Sequence, residues 1–117
     1  MTHPSKDSAW LSAADADWTP TGPGATRAVL TWCDEAMLTE NRFEAGGVGA
    51  MHTHPHIQLT YVASGVFDFT IGDETRRVQA GDSMLLASDV PHAALCIEAG
   101  TLVDFFTPHR AEFVDEV

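Results

Sequence analysis

Apolar and polar residues alternate along most of this chain in short runs, and no stretch repeats at the period of a helical stripe. From Arg27 onward, runs rich in Val, Ile, Leu, Thr, Phe and Trp are broken by turn residues roughly every 8 to 12 positions, the rhythm of an all-β barrel or sandwich. Strands are predicted over 28–33, 36–44, 48–53, 57–63, 66–71, 74–79, 83–87, 92–97 and 101–107. In Phe67-Asp-Phe-Thr-Ile71 the alternation puts Phe67, Phe69 and Ile71 on one face and Asp68 and Thr70 on the other. Leu102, Asp104 and Phe106 share a face in the same way. Ser64-Gly65 and Ile71-Gly-Asp-Glu74 carry the residues that tight turns need, and both are predicted hairpins.

The first 25 residues follow a different pattern, rich in Ser, Ala, Asp, Pro and Gly. Thr19-Pro-Thr-Gly-Pro-Gly24 can sustain neither a helix nor a central strand, so 1–25 is expected to be an N-terminal arm, partly docked through Trp10, Leu11 and Trp18. Residues 26–117 are expected to form one domain, since 117 residues suffice for a single core.

Composition narrows the partners. Seventeen acidic against six basic residues give a formal charge of −11, which repels nucleic acid and anionic membranes alike. The charge is spread in short pairs, as on a solvated surface. No apolar run approaches the roughly 20 residues that cross a bilayer, and the N-terminus lacks the basic start and apolar core of a secretion signal, so a cytoplasmic location is expected. Cys33 and Cys96 lie in apolar, strand-like stretches without the spacing of a disulfide framework or metal knuckle, and are expected to be buried free thiols.

The chemistry concentrates in Met51-His-Thr-His-Pro-His-Ile-Gln58, within the region from His52 to His92 that holds four of the six histidines. His52 and His54 are two apart at a strand end, so both imidazoles emerge on one face and can meet one ion. A following strand can return Gln58 to them, and His92, just after a turn at the start of another strand, can supply a third imidazole. Three histidines and one amide oxygen leave room for water or substrate on a divalent ion. Unrelated surface histidines are the alternative for a His-x-His pair alone.

With these residues the chain resembles the cupin superfamily. Gly46, His52, His54, Gln58 and Gly65 keep the spacing of the first cupin motif, with glutamine where glutamate is usual. Gly81 and His92 match the second motif, with Ala87 and Asp89 where proline and glycine are usual and Cys96 where an asparagine often stands, so the turn before His92 is expected to differ in shape. The resemblance spans about 18–113 and implies a single-domain double-stranded β-helix, the jelly roll.

Glutamine in place of glutamate leaves the ion's charge uncancelled and makes it a stronger Lewis acid, less suited to iron oxygen chemistry. The other reading is that Gln58 only hydrogen-bonds in a ligand-free pocket. His56 has the parity of the ligands, but Pro55 breaks the strand there, so both a ligand and a supporting or rim role stay open. Neutral nitrogen ligands favour zinc, nickel or iron over magnesium or calcium. Asp104, flanked by Leu102 and Phe106 on an inward face, is expected to have a raised pKa suited to proton transfer, with Arg110 as its partner or as a substrate clamp; a solvated edge aspartate and a surface arginine are the alternative.

The His-x-His-Pro-His-x-Gln form and the Asp-x-Phe-x-Pro-x-Arg tail are similar to pectin-degradation cupins of the KdgF type. That resemblance implies His52, His54, Gln58 and His92 as metal ligands, Asp104, Phe106 and Arg110 as the functional set, and ring opening of unsaturated monouronates as the activity. A non-catalytic binding or sensing cupin and a metal-dependent oxygenase are the alternatives. Exposed edge strands and the apolar arm lead to the expectation of a homodimer.

Overall fold

The computed structural model describes residues 5–115. Eight antiparallel strands dominate it: β1 (Trp18–Gly22), β2 (Ala25–Cys33), β3 (Ala36–Phe43), β4 (Val48–His52), β5 (Ile57–Ile71), β6 (Glu74–Gln79), β7 (Ser83–Leu86) and β8 (His92–Thr107). Two short 3-10 turns, Ala13–Asp15 and Ala111–Phe113, are the helical elements among the described residues. The all-β expectation holds.

Two long strands organise the jelly roll. The first half of β5 pairs with the second half of β8, from Ile57 against Thr107 to Val62 against Leu102, and is flanked by β7 and by the run β3-β2-β1. The second half of β5 pairs with the first half of β8, from Phe67 against Cys96 to Ile71 against His92, and is flanked by β6 and β4. One connected sheet therefore folds over itself into two layers.

The crease corrects one expectation. Ser64-Gly65 is not a hairpin, because β5 continues through it, with register shifts between Val62 and Phe67. Likewise 92–97 and 101–107 are one strand. At the crease Gly65 has φ +84°, and a β-carbon there would meet Glu98 O at 2.6 Å. On Gly100 it would meet Ser64 O at 2.1 Å. Glycines at both places let the two strands bend against each other without a turn. The other predicted hairpin is present: Ile71 pairs with Glu74 around a two-residue Gly72-Asp73 loop.

The core follows the alternation. Phe67 and Phe69 are buried with Val62, Leu86, Cys96 and Leu102, while Asp68 turns outward to Arg77. A second cluster, Val29, Trp32, Met37, Phe106 and Val114, fills one end. Cys96 is buried and free; Cys33 is also free but only half-buried. Part of the segment expected to be an arm, Trp18–Gly22, forms an edge strand on β2, where its proline and glycine interrupt no inner ladder. Trp18 packs under the Arg42 guanidinium at 4.1 Å, whereas Trp10 is 88% exposed. No helix among the described residues is long and apolar enough to cross a membrane.

Candidate metal centre

β4 ends at His52 directly opposite His92 on β8, and the loop from Thr53 to His56 carries His54 back beneath them. The potential ligand atoms of His52, His54 and His92 lie within 4.8 Å of one another, and the rings of His52 and His92 are 4.3 Å apart. Each imidazole is held from behind by a main-chain carbonyl. Nδ1 of His52 lies 2.8 Å from Ala50 O, Nδ1 of His54 lies 3.1 Å from His56 O, and Nδ1 of His92 lies 3.0 Å from Val90 O. A proton on Nδ1 in each ring leaves the Nε2 lone pair for a ligand, the outer-shell arrangement that orients metal-binding histidines.

Gln58 joins the set from β5. Its Oε1 is 2.9 Å from His54 Nε2, and its Nε2 donates to Thr60 Oγ1 at 2.9 Å, which orients the carbonyl oxygen toward the histidines. His92 Nε2 is buried with no hydrogen-bond partner among the described residues, a cost that coordination of a cation removes. Burial, and then the neighbouring His52, His54 and Arg110, push His92 down to about 4. Burial lowers His54 as well. His92 is therefore neutral, and its lone pair available, across the physiological range. The donor set fits a divalent metal.

His56 stands outside the cluster. Its Nε2 donates to His109 O at 3.0 Å, and its carbonyl holds His54, so it supports a ring of the cluster. The chain also compensates at the turn before His92: Asp89 takes φ +64°, the left-handed region that suits glycine, and its N–H donates to His54 O at 2.8 Å.

Beside the histidines a cavity of about 310 Å³ is lined by His52, Gln58, His92, Asp104, Phe106 and Arg110, among others. Asp104 Oδ1 accepts from Thr60 Oγ1 at 2.6 Å and Oδ2 accepts from Asn41 Nδ2 at 3.0 Å. Gln58, Thr60 and Asp104 thus form one hydrogen-bonded chain from the imidazole cluster to a carboxyl. Burial drives the Asp104 carboxyl up to about 6, against the lowering effect of Thr60, Gln58, Arg110 and His52. The expected Asp104–Arg110 pair does not form among the described residues. Arg110 is buried, its Nε donates to Glu112, and its guanidinium lies over Phe106 at 5.1 Å and Phe113 at 4.3 Å.

Residues 40–106 match the family described as the cupin domain. The chain is a cupin. It is 34% identical over 102 residues to the pectin degradation protein KdgF of Dickeya dadantii, a match covering 86% of this chain and 93% of that protein. Among solved structures, an RmlC-like cupin from Shewanella frigidimarina superposes with a TM-score of 0.87 at 31% identity, covering 91% of this chain and 96% of that one. KdgF from a Halomonas species superposes with a TM-score of 0.85 at 28% identity, covering 90% and 97%. The resemblance to the KdgF type read from the motifs is thereby shown for the whole cupin fold.

Sequence reasoning missed Asn41 and Arg27, which line this cupin's cavity, and Thr60, which braces Asp104 from behind it. Thr60 shares the parity of Gln58 on β5, a signal that was available. Asn41 and Arg27 come from β3 and β2, whose register with the site is a tertiary property.

Proposed function

We propose that this cupin is a metal-dependent enzyme that opens the ring of a small sugar acid, an unsaturated monouronate. The observation carrying this reading is a Lewis-acid donor set joined through Thr60 to a carboxyl of shifted pKa in one cavity. The likeness to two KdgF proteins, one named for pectin degradation, supports the substrate class.

His52, His54, Gln58 and His92 would hold the metal, zinc, nickel or iron by their neutral donors, and a cation there polarises hydroxyl and carboxylate oxygens. Asp104, ionised near neutrality and braced by Thr60 and Asn41, takes the proton of the anomeric hydroxyl. The bond from the anomeric carbon to the ring oxygen breaks, the aldehyde forms, and the electron pair leaves with the ring oxygen as an enolate. Return of the proton to carbon gives the keto form, so atoms balance as in an isomerisation. Phe106 offers an apolar wall to the sugar, and Arg110, paired with Glu112, adds positive charge to the cavity wall.

The test combines elemental analysis of the purified protein with the ultraviolet absorbance of enzymatically generated unsaturated galacturonate. The wild type is expected to contain about one divalent metal per chain and to abolish the absorbance; Asp104→Ala is expected to keep the metal and lose at least about a hundredfold in rate. Metal-loaded wild type that leaves the absorbance unchanged would rule out ring opening.

A further inference from the structure

We propose that Arg27 is the residue with which the cavity recognises the carboxylate of its ligand, an assignment that rests on the sugar-acid reading above. The described residues include five arginines, and four of them have an acidic partner: Arg42 with Glu40, Arg76 with Glu74, Arg77 with Asp68 and Arg110 with Glu112. Arg27 has no hydrogen bond or ion pair among the described residues, although the chain carries 17 acidic residues. It is half-buried and lines the cavity that Asp104, Gln58, His52 and His92 also line.

Its position is built. Arg27 on β2 lies opposite Asn41 on β3, and Asn41 binds Asp104, so register partners share the face that looks into the barrel. The Phe113 ring holds the Arg27 guanidinium at 3.6 Å and the Arg110 guanidinium at 4.3 Å. One aromatic ring thus carries two like charges, with one carboxylate, Glu112, bonded to Arg110. Burial and the charge of Arg110 lower the pKa of Arg27, while Glu112 and Asp104 oppose them. An anion entering the cavity offsets both the loss of hydration and the repulsion. A planar guanidinium with no internal partner can offer two parallel N–H donors to a carboxylate, the geometry that a hydroxyl or an ester cannot match. Arg27 also gives so acidic a chain a cation with which to meet an acidic ligand in this cavity.

Calorimetry on the zinc-loaded protein tests this with galacturonate and its methyl ester as probes. The wild type should prefer the acid. Arg27→Gln should weaken the acid about tenfold or more and the ester less than about twofold, and Arg27→Lys should recover part of the preference. Metal content and melting temperature, measured alongside, separate this effect from loss of fold or ion. With unsaturated galacturonate the loss should fall mainly on KM. A wild type without preference for the acid, or equal weakening of acid and ester by Arg27→Gln, would overturn the assignment. If the acid binds in an Arg27-dependent way but unsaturated galacturonate is not consumed, ring opening fails and Arg27 keeps its role.

Discussion

At the residue scale, the exchange of glutamate for glutamine at position 58 has a local cause. Gln58 donates its amide proton to Thr60, and Thr60 gives its own to Asp104. A carboxylate at 58 has no proton to give, and it would place a second negative charge beside Asp104. The same chain sets a pH dependence. Asp104 has a folded-state pKa of about 6, above its ordinary value of 3.8, so between those two limits the folded protein holds a proton that the unfolded chain releases. Its contribution to stability is present in full below the unfolded pKa and is lost as pH rises through about 6. In metal-free protein, the melting temperature of wild type minus that of Asp104→Asn should therefore fall as pH is raised from 4 to 7 or so. A difference independent of pH would mean that the carboxyl is not shifted. The histidine cluster was legible because strand alternation and a turn place those side chains. Asp104 was legible as a polar residue on an apolar face; of its partners, Thr60 shares the parity of Gln58 and could have been read, whereas Asn41 comes from β3, whose register with the site is a tertiary property.

At the scale of elements, the pattern of apolar runs located nearly every strand and failed where a strand changes layers. Val66–Ile71 and Ile57–Ala63 read as two strands joined by Ser-Gly, because a crease and a hairpin both need a small residue between apolar runs. What distinguishes them is the backbone of Gly100, far away in sequence, lying against Gly65. The turn before His92 shows a different case: Asp89 stands where glycine is usual and takes a φ that suits glycine. Asp89 tolerates positive φ as few residues do, and its N–H ties the turn to the loop carrying His54. Asp89→Val should cost about 1–2 kcal/mol in denaturant unfolding, because a β-branched side chain in the left-handed region clashes with its own backbone. Metal affinity should weaken with it, whereas Asp89→Gly should retain both. Equal stability of the valine and glycine variants would show that the turn relaxes.

At the scale of the whole molecule, charge and apolar surface are unevenly shared. The outer face of the first half of β5 and its neighbours presents Leu59 beside Leu85 and Phe105, and Tyr61 beside Val103. Leu59, Tyr61 and Leu85 are each about half exposed or more, at 47%, 51% and 64%. Contiguous apolar surface of this kind favours self-association through that face. We expect a homodimer built there. Light scattering should give twice the chain mass for wild type and one chain mass for Leu85→Asp, with the metal retained; a monomeric wild type would remove this expectation.

The crease at Gly65 and Gly100 has a consequence for how the molecule comes apart. Because β5 and β8 each belong to both layers, neither layer can peel away while the other stays whole, and Gln58, His92 and Asp104 all sit on these two shared strands. Fluctuations that would separate Gln58, His92 and Asp104 must therefore disturb both layers at once, whereas His52 and His54 depend on the shorter β4 and the loop after it.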